Sequence, residues 1–112
     1  KQLNSNRKPI KKIEVKHMTL GKIPIDLSKA KQENIDKQIL RAGMLAELDA
    51  INLYEQMADM TDNKHLKMVL LDIAKEEKEH VGEFQYMLLK LDAQQKEELE
   101  EGMEEVKELI GE

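Results

Sequence analysis

Two stretches of this chain carry the same apolar spacing with three polar residues between them. Leu40, Met44, Glu47, Ile51, Tyr54 and Ala58 are spaced 4, 3, 4, 3, 4, and after Thr61-Asp62-Asn63 the alternation resumes through Leu66, Leu70, Ile73, Glu77, His80, Phe84, Met87 and Leu91. Such a stripe is the seam of a helix that packs lengthwise on another helix. A break this short forces the second helix to run antiparallel to the first. The spacing therefore predicts a helix from about Glu33 to Met60, a loop centred on Asp62, and a second helix through Leu91. Few other arrangements satisfy both seams, and the fold class that follows is all-α.

The flanks read differently. Asp92 with Gln95 three residues later has the form of an N-cap with a reciprocal partner, and it opens a third, shorter helix through about Leu109, before Gly111. Apart from Leu99, Met103, Val106, Leu109 and Ile110, glutamates dominate that helix, which predicts a solvated face. At the other end, residues 1–32 form a basic arm in which Pro9 and Pro24 block helix. Lys1 to Lys31 holds nine Lys or Arg against Glu14 and Asp26, a net +7, which leaves −12 on the remainder. The arm has no aromatic platform or reader motif, so we read it as extended chain lying on the acidic body, with no nucleic-acid partner. The helical domain is then 33–112.

Composition excludes several chemistries. The chain has no cysteine, which removes disulfides, thiolate nucleophiles, iron–sulfur clusters and thiolate-bound zinc or iron. Any metal must be held by oxygen and nitrogen. No apolar run approaches the roughly 20 residues that span a bilayer, and no signal-peptide pattern is visible, so the expectation is a cytoplasmic protein without a membrane partner. With 112 residues, the chain buries a limited share of its surface when folded alone, which favours oligomerisation.

Both seams are interrupted in the middle by ionisable residues, Glu47 in the first and Glu77 with His80 in the second. Burying a carboxylate without compensation costs several kcal/mol, so a partner has to be supplied. Glu77 and His80 are three apart and share a helical face, and a Glu-x-x-His helix facing a bundle core is one way of holding iron or manganese. In an antiparallel pair, facing residues have numbers summing to a constant, here about 124, and Glu47 with Glu77 meets it. They should stand at one level, about 22 Å from the loop at about 1.5 Å rise per residue. Tyr54 lies two turns nearer the loop on the same seam.

Each piece has a plainer reading. Glu-x-x-His is common in charged helices, a seam glutamate can reach past its neighbours to water, and Tyr54 can be ordinary core. Asp62-x-x-His65 has the same spacing at a helix start, where capping explains it. Three ligand types at one height in two seams favour a metal site. One chain nevertheless supplies only half of a dinuclear carboxylate site. A two-fold axis bringing Glu47, Glu77 and His80 from each of two subunits together would complete both the site and a four-helix bundle. A homodimer is thus a requirement of this chemistry.

The segments "AELDAINLYEQMA" and "LLDIAKEEKEHVGEF" resemble the encapsulated ferritins, half-length members of the ferritin-like superfamily, over about Ile35 to Leu91. The resemblance implies a ferritin-like hairpin that dimerises around a di-iron ferroxidase centre, in dimers that assemble into a ring inside an encapsulin compartment. It implies Glu47, Glu77 and His80 as iron ligands, Glu47 as a bridge, and Tyr54 as a close neighbour able to donate a hydrogen bond or quench stray oxidising equivalents. Some relatives carry a Trp where this chain has Leu53, and acidic metal-intake residues on either side of the ligand where it has Ala46 and Asp49; only Asp49 carries over. Free-standing relatives end in a short apolar shell-targeting tail, whereas this sequence closes on "VKELIGE". A tail or fused shell domain then lies beyond it, or the protein is not shell cargo.

The expected function is a ferroxidase, in which hard oxygen ligands stabilise Fe(III) over Fe(II). Two alternatives use the same residues: a non-catalytic helical oligomer with an interchain Glu–His network, and a dimetal peroxidase. Manganese and zinc suit these donors as well as iron does.

Overall fold

The computed structural model describes residues 26–29 and 31–112. Most of the basic arm, 1–25 and Ala30, lies outside the described residues. Within its described part, Leu27–Lys29 forms a 3₁₀ turn rather than extended chain, because the Asp26 carboxylate accepts hydrogen bonds from the Ser28 N–H at 3.0 Å and the Ser28 hydroxyl at 2.6 Å. A second 3₁₀ turn, Gln32–Asn34, leads into the first long helix.

Three α-helices follow: α1, Ile35–Met60; α2, Lys64–Leu91; and α3, Ala93–Ile110. No strand occurs among the described residues. The helix ends have local causes. The Asn63 side chain accepts from the Leu66 N–H at 3.0 Å and caps α2, so the cap is Asn63 and not its neighbour Asp62. From the first turn of α2, the Lys67 ammonium donates to the Ala58 carbonyl at 2.6 Å, satisfying an end group of α1 and locking the loop. At the far end Gly111 takes the left-handed conformation, φ 82°, that closes α3.

Asp92 joins α2 to α3 alone. Its carboxylate accepts from the Gln95 N–H at 3.0 Å, as the N-cap reading requires. The reciprocal bond does not form, because the Asp92 N–H already donates to the Leu88 carbonyl at 2.9 Å as the last bond of α2. The other carboxylate oxygen accepts from the Arg41 guanidinium of α1 at 2.7 Å. One residue thus ends a helix, starts the next and ties both to the first.

The hairpin α1–α2 holds the core. Ala58, Ala74 and Leu88 are buried, at 1–4 % exposure, and the α1 seam from Leu40 to Tyr54 is half-buried. On α2 the covered residues include Leu70, Ile73, Ala74, Glu77, His80, Val81, Phe84 and Leu88, of which Ala74 and Leu88 are buried. They share Leu70, Ile73, Glu77, His80 and Phe84 with the sequence seam and widen it toward Ala74 and Leu88. Met87, Leu91 and Leu66, which the spacing places in the seam, are exposed. His80, with its side chain 44 % exposed, and Met87 therefore lie along the margin of the helix pair. Among the described residues sixteen large apolar side chains, from Ile39 to Ile110, remain exposed, more than a two-helix core can cover. On α3 every residue after Gln95 is exposed.

Candidate metal centre

Glu47 projects from the middle of α1, and Glu77 and His80 from one face of α2. Each offers a ligand atom such that all three atoms lie within 4.8 Å of one another. The antiparallel register does this, since both helices run unbroken from the three-residue loop to this level. The His80 Nδ1 sits 2.9 Å from Glu77 Oε1 and 3.4 Å from Glu47 Oε2. The nitrogen aimed at the carboxylates is thus Nδ1, whose N–H donates to Glu77 when no metal is present. The carboxylate side chains are 20 % and 18 % exposed and the imidazole 44 %, so the cluster is covered by its own hairpin on one side and open on the other.

The electrostatics are those of a crowded donor set. The close approach of the two carboxyl groups holds Glu47 above the ordinary carboxylate value and Glu77 below it; partial burial and the repulsion of Glu77 push Glu47 further up. The hydrogen bond to Glu77, followed by the two negative charges, holds the His80 imidazole above its usual value. A divalent cation at their common centre would lie within reach of all three groups at once. The donor set, two hard oxygens and one imidazole nitrogen, fits iron, manganese or zinc.

Not every residue singled out in the sequence joins the cluster. Tyr54 is half-buried on α1, about 10 Å along the axis from Glu47 at about 1.5 Å per residue, and among the described residues no hydrogen bond ties its hydroxyl to the carboxylates. Asp49 is half-buried, and its offset of two residues places it on a different face from Glu47. Asp62 and His65 are exposed at the loop. Two contributors carry no signal in the sequence pattern. Arg41 pairs with Asp92 across 51 positions, a separation at which periodicity says nothing. Gly43 admits the tip of the Phe84 ring one turn from the cluster.

An antiparallel hairpin with a Glu and a Glu-x-x-His facing each other at mid-height defines a half-length, ferritin-like protein. The EncFtn-like family model matches residues 24–107, and the chain belongs to that family. It is 58 % identical over 74 residues, 66 % of this chain and 21 % of the relative, to the ferritin-like–encapsulin shell fusion protein of Pyrococcus furiosus. It is 40 % identical over 65 residues, 58 % of this chain and 50 % of the relative, to the encapsulin nanocompartment cargo protein EncC of Myxococcus xanthus. The crystal structure of the encapsulated ferritin domain from Pyrococcus furiosus superposes with a TM-score of 0.71 at 51 % identity, covering 80 % of this chain and 90 % of that one. The chain thus spans half or less of the curated relatives it matches. No described helix is long and apolar enough to cross a membrane.

Proposed function

We propose that two copies of this chain form a ferroxidase, with Fe(II) as substrate at a dinuclear site on their shared two-fold axis. The observation that carries the reading is the placement of Glu47, Glu77 and His80, with ligand atoms within 4.8 Å of one another on the margin the hairpin leaves open. A second hairpin set against that margin would cover His80 and the exposed line beside it, double the donor set and complete a four-helix bundle. Glu77 and His80 of each copy would anchor one iron, and Glu47 would bridge. Two Fe(II) would each give one electron to dioxygen, which with two protons becomes hydrogen peroxide, and both would leave as Fe(III). Carboxylate oxygens favour the ferric product and so drive the reaction in that direction. Tyr54 would act from a distance, as a donor of stray electrons rather than a ligand.

The named functions of the relatives extend the proposal to partners. A shell fusion and a shell cargo protein stand beside this chain, so an encapsulin compartment is the destination we infer for the oxidised iron. A higher, ring-like oligomer of dimers would bury the apolar side chains that α3 leaves exposed. Stopped-flow oxidation of Fe(II) in air, with solution mass measured alongside, tests the core of this. The parent should oxidise iron as a dimer or larger, and the Glu47→Ala/His80→Ala variant should fall to the uncatalysed rate. Equal rates would overturn the reading.

One observation favours a second reading, a polar network that only sets the register between copies. Glu47, Glu77 and His80 already satisfy one another without metal, and among the described residues no buried side-chain polar atom lacks a partner. That reading predicts a melting temperature indifferent to Fe(II), Mn(II) and Zn(II).

A further inference from the structure

Gly43 lies one turn before Glu47 on α1, and Phe84 one turn after His80 on α2. The two meet across the hairpin. A Cβ built on Gly43 would stand 3.0 Å from Phe84 Cζ, 3.1 Å from Cε2 and 3.2 Å from Cε1, where ordinary contact begins at 3.4 Å. The ring therefore points its tip at the bare backbone of α1 and occupies the space a side chain would take. Glycine lowers helix propensity, so its presence in the middle of a 26-residue helix has a local cost. Gly82 and Gly102, also helical, meet nothing within 4 Å, and among the described glycines the close approach is particular to Gly43.

We propose that Gly43 and Phe84 form a spacer that positions the metal donors, setting the distance between α1 and α2 one turn from the cluster. This inference rests on the metal-centre reading. The magnitudes decide that such a spacer matters. A side chain at position 43 requires a shift of a few tenths of an ångström, and helices are stiff enough over one turn to pass it to Glu47 or His80. Metal–ligand distances tolerate only about 0.2 Å. A displacement that a packed core would absorb is therefore large for a site whose donors come from both helices. Gly43 and Phe84 touch no metal, and their role is positioning.

Co(II) titration of the full chain, followed by its visible bands, tests the spacer. Gly43→Ala should weaken Co(II) binding about tenfold, as changes just behind metal ligands do, and alter the band shape. The metal-free helix content should not fall, since alanine is the better helix former. Gly82→Ala, two residues from His80, should bind as the parent does. In Gly43→Ala/Phe84→Leu the lost ring atoms make room for the added methyl, and the affinity should return to within about threefold of the parent. Should the single variant not fold, parental binding by the double variant still supports the spacer, and loss of binding there overturns it. Glu47→Ala separates the two readings. Co(II) binding that depends on Glu47 but not on residue 43, or that Gly82→Ala weakens equally, overturns the spacer alone. Binding that Glu47→Ala leaves intact removes the metal centre and the spacer with it.

Discussion

Two carboxylates at different levels of the same three-helix frame show opposite solutions to one problem. Asp92, at the junction of α2 and α3, is surrounded by positive partners: the Gln95 N–H at the start of α3, the Arg41 guanidinium at 2.7 Å and the nearby Lys37 charge, which together hold it below the ordinary carboxylate value. Glu47, in the middle of the hairpin, faces a second carboxyl group and one imidazole, and is held above that value. The first is a finished structural ion pair. The second is the candidate site, two carboxyl groups and an imidazole crowded together with no lysine or arginine among them. Composition alone does not distinguish them, since both are acidic residues of the same three-helix frame. Their partners do.

Metal addition is the strongest test of this contrast. At a free Mn(II) concentration a hundred times Kd, the folded protein should gain about 2.7 kcal/mol, an increase in Tm on the order of 10 °C for a domain of this size. The Glu77→Ala variant should lose that shift. Asp92→Asn should keep it, because its carboxylate has no part in the donor set. A shift retained in Glu77→Ala, or lost in Asp92→Asn, would erase the distinction between the two sites.

Much of this frame is legible in the amino-acid sequence. The matched seams predict the hairpin, the loop at Thr61–Asn63 and the facing of Glu47 and Glu77, because antiparallel register follows from a short loop and a constant rise per residue. Asp92 and Gly111 mark the ends of α3 by capping chemistry that works within four residues. The side of α2 that packs on α1 is not legible. Met87 is larger than Ala74, so a spacing argument weighted by apolar size draws the seam toward the exposed Met87, while close helix approach buries the small Ala74. The Arg41–Asp92 pair and the Gly43–Phe84 contact join positions 51 and 41 apart, and single-sequence periodicity holds no information about them. The candidate site is visible in the sequence as residue types at one height; its open side follows only from the place of His80 on the margin of the folded hairpin.

The second test breaks the finished site instead. Asp92→Ala removes the α3 cap and the Arg41 bridge together, and should lower Tm and the far-UV helical signal while leaving Co(II) affinity unchanged. Its pH dependence follows from the depressed value in the fold. Stability from the Asp92 charge is complete above the ordinary value of 3.8 and is lost as pH falls through the lower folded value. The Tm gap between the parent and Asp92→Asn should therefore be constant above about pH 5 and narrow below pH 3.8. A gap that widened on acidification would mean that Asp92 is not held charged by its partners.

The smallest effect comes from a third carboxylate, and it calibrates the other two. Glu55 on α1 pairs at 3.1 Å with Lys78 on α2, the residue next to Glu77, yet the two side chains are 45 % and 60 % exposed. Water screens such a pair, and ordering two long side chains offsets most of the attraction. Lys78→Ala should change stability by no more than about 0.5 kcal/mol, and the change should vanish at high salt. Distance alone would rank this pair beside Asp92 and Arg41. If Lys78→Ala proved as damaging as Asp92→Ala, proximity rather than partner number and burial would govern these sites, and the contrast between Asp92 and Glu47 would lose its physical basis.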